Sequence, residues 1–210
     1  AEAFAALGNR AAAGVLRNRL KDDNPDARAA AAAGLHALGD VRGLTALIDE
    51  TKPLTWGAAK NPAEELRRMA RDAARARAVL RLGEAAGDVA KEALESALKD
   101  PAGEVRDAAA VALARLGRED VLNQFFEALE DEDPEVRAYA IGRLGLVGRA
   151  GRGKILAATV DVSTSVRAEA VTALGAYGDA EAVAAAAAAL GDKSGRVRMA
   201  AVRALSRLDT

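Results

Sequence analysis

The stretch from Asp131 to Gly148, DEDPEVRAYAIGRLGLVG, decides the fold. Its apolar residues Val136, Ala140, Leu144 and Val147 fall at i, i+4, i+8 and i+11, one face of an α-helix. Asp133-Pro134 reads as an N-cap followed by a first-turn proline. Gly148 supplies the C-cap, where a left-handed backbone is wanted. The arrangement returns along the chain. Ala27-Arg28, Val105-Arg106, Val166-Arg167 and Val197-Arg198 match Val136-Arg137. Leu35, Leu113, Leu174 and Leu205 match Leu144; Leu38, Leu116, Tyr177 and Leu208 match Val147. Gly39, Gly117 and Gly178 match Gly148, with Asp209 in the last copy. The last four starting positions are 31, 30 and 31 residues apart. A second apolar helix follows, for example through Leu44, Leu47 and Ile48, or Val121, Leu122, Phe125, Phe126 and Leu129. The unit is helix–turn–helix, and no sustained two-residue alternation marks a strand. The expected fold is an all-α solenoid of stacked helical hairpins.

A weaker copy ends at Leu82-Gly83, and counting back eleven puts Arg71 and Asp72 in its Val and Arg slots. A half copy ends at Leu7-Gly8, and the last copy stops within its first helix. The reading is one repeat domain over 1–210, with half repeats at both ends, belonging to a larger chain. Between Ala27 and Arg71 about 13 residues are extra, around Thr51–Lys60. This insertion, 51–66, ends in a helix start, because Asn61-Pro62 with Glu64 has the form of a capping box. It carries the only tryptophan, Trp56, which either covers a gap between mismatched repeats or contacts a partner. The helix that follows holds Arg67, Arg71 and Arg75 along one face. They form either a solvated face or a surface for an acidic protein or phosphate.

Composition limits the chemistry. The chain has 210 residues, 30 basic and 31 acidic, one His and no Cys. Alanine, at 55 residues, supplies about half of the hydrophobic total. Such a core is thin and depends on close backbone approach. Disulfides, Cys zinc sites and Cys nucleophiles are excluded, as are sites needing several imidazoles. No cofactor or metal is expected. A net charge of −1 gives no overall pull toward nucleic acid. The apolar run Ala180–Leu190 is too short to span a bilayer, and no signal pattern opens the chain, so the default location is cytoplasmic.

A charged pattern accompanies the apolar one. An Asp stands five residues before each Val or Ala27 slot, at Asp22, Asp100, Asp131, Asp161 and Asp192. An Arg stands one residue after it, at Arg28, Arg106, Arg137, Arg167 and Arg198. The weak copy has Leu66 and Asp72 at these places, a joint loss that points to mutual need. A guanidinium fork can hold a carboxylate, or helix-end carbonyls, at a buried turn between stacked units. We expect a structural ladder here.

The string Asp131 to Arg137 followed by Leu144, and the stretch Asp192 to Leu208, resemble the HEAT-like repeat named after phycobilisome lyases. The resemblance covers the chain except roughly residues 51–66. It implies a right-handed α-solenoid of repeats of about 31 residues whose second helices line a concave surface that binds proteins. Relatives that hydroxylate use His-Glu metal motifs, but His36 is followed by Ala37, so that chemistry does not carry over.

Other motifs are weak. Gly148 to Lys154 fits G-x-x-x-x-G-K, but Ile155 replaces the required hydroxyl and a helix precedes it where a strand is needed. His36 takes a slot filled elsewhere by Ala114, Gly145, Gly175 or Ser206. The acidic cluster Glu127, Glu130, Asp131, Glu132, Asp133 and Glu135 reads as a solvated turn.

The expected function is a non-catalytic scaffold binding a partner protein or peptide on the concave helix face. The residues expected to bind are Asp49, Glu92, Asn123, Gln124, Glu127 and Lys154, with Trp56 on the insertion. This surface is acidic and polar in the early repeats, basic near Lys154, then almost featureless alanine. Two alternatives remain: a tetrapyrrole lyase-like or chaperone subunit, which needs an aromatic cleft, and a nucleic-acid binder, which needs a continuous basic groove. Nucleic acid is the less favoured partner, and no membrane partner is expected.

Overall fold

A computed structural model describes the backbone of residues 2–54, 59–85 and 87–208, and the side chains of 11–54, 59–85 and 87–207. Trp56 lies outside the described residues. The chain divides into two compact units, Ala1–Leu116 and Gly117–Thr210. The first holds α1 (Glu2–Arg19), α2 (Pro25–Ala37), α3 (Val41–Thr51), α4 (Pro62–Leu82), α5 (Asp88–Ala97) and α6 (Gly103–Arg115). The second holds α7 (Glu119–Glu127), α8 (Pro134–Val147), α9 (Arg152–Ala158), α10 (Thr164–Leu174), α11 (Ala180–Ala188) and α12 (Gly195–Leu208). Among the described residues there is no strand, and the architecture is an all-α solenoid of helical hairpins. Among the described residues no helix is long and apolar enough to cross a membrane.

Local chemistry sets the helix ends. Asn24 Oδ1 accepts from Asp26 N at 2.9 Å with Pro25 next, and Asp133 Oδ1 accepts from Glu135 N at 2.8 Å with Pro134 next. Each satisfies one N–H that the first helical turn leaves open. Asn61 Oδ1 accepts from Glu64 N at 2.9 Å, while the Glu64 carboxylate accepts from Lys60 N at 2.8 Å. The return bond thus falls one residue ahead of the cap. Gly39 and Gly117 end their helices at φ 76° and 86°, a region costly for a residue with a Cβ.

Within the first unit α2, α4 and α6 pack in succession, with α3 against α2 and α4, and α5 against α6. Within the second, α8, α10 and α12 do the same, with α9 and α11 behind them. Leu35 and Leu113, in the repeated leucine slot, are fully buried in the first unit, as are Leu144 and Leu174 in the second. The second helices answer with Leu47, Leu94 and Ile155. Between neighbouring first helices the contact is glycine on alanine. A Cβ at Gly145 would stand 2.9 Å from Ala173 Cβ, and one at Gly83 would stand 2.6 Å from Ala112 Cβ.

Three expectations change. α1 runs unbroken through Gly8 to Arg19, so there is no turn after Leu7. A mid-helix glycine costs only about 1 kcal/mol, which a run of alanine and arginine absorbs. Secondly, Gly83 is not a left-handed cap: its φ is −63°. Thirdly, α4 has 21 residues against 13 for α2 and α6. α4 opens at Pro62, where Asn61-Pro62 marks a helix start, and is longer than its counterparts.

Candidate functional site: a charged ladder and an exposed second-helix face

The five repeated arginines share one geometry. Each Nη1 donates to two carbonyls of its own turn. Arg28 reaches Asp22 O at 2.8 Å and Asp23 O at 3.1 Å. Arg106 reaches Asp100 O and Pro101 O at 2.6 and 2.9 Å, and Arg137 reaches Asp131 O and Glu132 O at 2.8 and 3.1 Å. Arg167 reaches Asp161 O and Val162 O at 3.0 and 3.1 Å, and Arg198 reaches Asp192 O and Lys193 O at 2.9 and 3.1 Å. These are carbonyls of the turns between helices, which no helical ladder satisfies. The aspartates brace the same turns: the Oδ1 of Asp22, Asp100, Asp131, Asp161 and Asp192 each accepts the N–H two residues on, at 2.7–3.0 Å.

The carboxylate and guanidinium of one copy do not clasp each other. In Arg28, Arg137 and Arg167 the Nε–Nη2 edge reaches forward to a later acid instead. Arg137 holds Asp161 at 3.2 and 3.0 Å, and Arg167 holds Asp192 at 2.8 and 3.1 Å. Arg28 holds Glu50 at 2.5 and 2.9 Å. The fork therefore ties two turns together with one side chain, a bidentate geometry that lysine cannot reproduce.

The weak copy has not lost its arginine. Arg75, 5 % exposed, donates to Lys52 O at 2.9 Å and Thr51 O at 3.3 Å, and its Nη2 clasps Asp100, 3 % exposed. Nη1 adds Asp72 at 2.8 Å. Ala74-Arg75 is thus the true repeat of Ala27-Arg28. Leu82 then falls in the Leu35 slot, and Ala74 to Val105 spans 31 residues, as Val105 to Val136 does. Equating Gly83 with the left-handed Gly148 displaces the register by three residues. Arg71 and Asp72 do not fill the Val and Arg slots.

Two further clamps escaped the sequence reading. Arg152 on α9 holds Asp179 at 2.8 and 2.6 Å and Glu181 at 2.8 Å. Arg17 on α1 and Arg42 on α3 both hold Asp40, each with a contact at 2.9 Å. The pairs Gly39-Asp40 and Gly178-Asp179, at the start of a second helix, were the available signal. The fork of Arg152, then the Ala182 N–H, lowers the Asp179 carboxyl to about 2. The fork of Arg167, then the Ser194 N–H, lowers Asp192 to about 2. Both ordinary values are 3.8. A carboxylate depressed on folding stabilises the fold above its unfolded value, and that contribution disappears as pH falls through the folded value. The second unit should therefore lose stability between about pH 4 and pH 2. Carboxyl carbon NMR should place the Asp192 midpoint near 2, and Arg167→Met should return it toward 3.8. An unmoved midpoint in that variant rejects Arg167 as the cause.

The expected binding residues divide between the units. Asp49, exposed on α3, pairs with Lys52 at 2.6 Å, and Glu92 is exposed on α5. In the second unit Asn123, Gln124 and Glu127 are exposed on α7. Lys154, exposed on α9, sets its ammonium 5.6 Å from the centre of the Phe126 ring, a cation–π contact joining the two second helices. The structure thus gathers Asn123, Gln124, Glu127 and Lys154 onto neighbouring elements of one unit. His36 is half-buried on α2. Ile155 is fully buried where a phosphate-binding loop needs a hydroxyl. Among the described residues no group of three or more His, Cys, Asp or Glu side chains could hold a metal ion.

The sequence pattern of the family described as HEAT repeats matches residues 51–141, 91–161 and 153–210. No curated protein matches the chain. Among solved structures, an engineered protein is 19% identical, with 94% of this chain and 96% of that one covered and a TM-score of 0.39. A designed armadillo repeat protein in complex with the peptide (KR)4 is 18% identical, with coverage of 92% and 98% and a TM-score of 0.38. Human deoxyhypusine hydroxylase in complex with glycerol is 20% identical, with coverage of 94% and 84% and a TM-score of 0.36. Likenesses at this level carry no argument about function.

Proposed function

The chain belongs to the HEAT-repeat family, and from that premise we propose that it is a non-catalytic scaffold holding a peptide or an extended segment of a partner protein on its second helices, the concave side of the repeat. The observation that carries this reading is the exposed stripe Asn123, Gln124 and Glu127 on α7, joined to Lys154 on α9 through Phe126. Asn and Gln amides both donate and accept, so they match the alternating N–H and C=O groups of an extended backbone. Glu127 and Lys154 have opposite charge and give a bound segment a direction. Beyond them α11 exposes Val183, Ala184, Ala187 and Ala188, which admit a close approach and discriminate little.

The triple variant Asn123→Ala/Gln124→Ala/Glu127→Ala changes only exposed residues and should keep the helical circular-dichroism spectrum. Partner affinity in a pull-down titration should fall at least tenfold. Equal affinity for wild type and triple variant removes this face from the function.

A further inference from the structure

The insertion has lengthened one first helix past its neighbours. Arg75 fills the place in α4 that Arg28 fills in α2, so Asp72 corresponds to Pro25, and residues 62–71 extend beyond the end of α2. Ten residues at 1.5 Å each make an overhang of about 15 Å. At 100° per residue, Met69, Pro62, Leu66, Ala70 and Ala63 fall on one third of its circumference. All five are exposed, Leu66 and Met69 at 68 % and 57 %. Single exposed apolar residues are ordinary, but a contiguous exposed stripe on a helix extension is not.

The stripe runs into a groove of about 550 Å³ between α4 and the start of α2, floored by Pro25, Ala70 and Ala74. Its charges can be accounted for one by one. Arg77 is committed to Asp26 at 2.7 and 2.8 Å. Arg67 and Arg71 line the same groove and, among the described residues, have no hydrogen-bonded or ion-paired partner. Asp23 faces them across the groove. Arg71 also borders a small cavity with Asp49 and Glu50, but those carboxylates are held by Lys52 and Arg28. Two uncommitted guanidiniums therefore face one uncommitted carboxylate beside an apolar stripe.

We propose that the overhang of α4 and the groove beside it form a second docking surface, for an acidic amphipathic segment of a partner protein. Its apolar residues would cover Leu66, Met69 and Ala70, as an amphipathic helix fills a hydrophobic groove. Its carboxylates would take the free forks of Arg67 and Arg71. This surface lies in the first unit and does not depend on the second-helix face of the other.

The test is selection of a random 16-residue peptide library on phage against the full chain, followed by fluorescence-anisotropy titration of the enriched peptides. The proposal expects enriched peptides with an excess of Asp and Glu and apolar residues spaced three or four apart. Their affinity should drop at least tenfold in Arg67→Glu/Arg71→Glu and again in Leu66→Ser/Met69→Ser; all four positions are off the core, so both variants should fold. No enrichment, enrichment without acidic bias, or affinities unchanged by both variants overturns it. Binding to phosphatidylserine vesicles that Arg67→Glu/Arg71→Glu abolishes, without peptide enrichment, reassigns the patch to a membrane surface. A dimer in sedimentation velocity that Leu66→Ser/Met69→Ser dissolves reassigns it to a second copy. Either outcome overturns the proposal.

Discussion

Replacing Arg75 by leucine should lower the unfolding free energy by about 3–5 kcal/mol, the range for breaking a desolvated ion pair from one side. The fork of Arg75 satisfies Thr51 O, Lys52 O and the carboxylates of Asp72 and Asp100. Leucine leaves the Asp100 charge buried without a counter-ion and strips two carbonyls of their donor. Asp100→Asn in the same background should return part of the loss. The amide oxygen still accepts from Ala102 N, which lies 2.9 Å from Asp100 Oδ1, and no net charge is left inside. A coupling of about 1–3 kcal/mol between the two changes is expected for groups in direct contact. Urea unfolding of the wild type, both single variants and the double variant measures it. A single variant within 0.5 kcal/mol of wild type would mean that Arg75 does not tie these turns together.

Gly43→Ala should destabilise the chain by about 3 kcal/mol, near the upper end of overpacking costs. Ordinary helix propensity predicts the opposite sign, a gain of about 1 kcal/mol. Gly43 lies in the first turn of α3, against the backbone of α2. A methyl group there would fall 2.2 Å from His36 N and 2.6 Å from Ala32 O. Those atoms belong to a hydrogen-bonded helix and cannot swing aside as a side chain can, so the α2–α3 hairpin must open. Gly14→Ala in α1 is the matched control: a Cβ there meets nothing within 4 Å, so the propensity gain should survive. Thermal unfolding of the two variants should move in opposite directions. A stabilised Gly43→Ala would show that the helices stand farther apart than this contact requires.

The helical hairpins were legible because Val136, Leu144 and Gly148 recur with their counterparts at fixed spacing, and a buried stripe leaves a periodic trace. The ladder acids and arginines were legible for the same reason. The partner of each arginine was not. The spacing of 30 or 31 residues places the forward acid 24 or 25 residues away, and no local pattern separates it from the acid six residues behind. Arg75 was hidden by Gly83, which caps α4 with a right-handed φ and stands one residue past the leucine slot, where Gly148 stands four past it. The start of α4 was legible in Asn61-Pro62 and Glu64, but its overhang past the neighbouring first helices was not, because the register taken from Gly83 falls three residues early. Gly43 carried no signal at all, since its role lies in the distance to another helix. The Arg152 and Arg17 clamps were missed because Asp179 and Asp40 appear as N-caps, and that role already explained them.

Because Arg137 and Arg167 are each anchored in their own turn and reach the acid of the following one, the hairpin between them carries half of two joints and the whole of neither. Any hairpin with an acid at its turn and an arginine six residues later presents the same plug and socket at its two ends. Such a chain can lengthen or shorten by duplicating or deleting one such hairpin in its gene, with the joints on either side rebuilt from the residues already there.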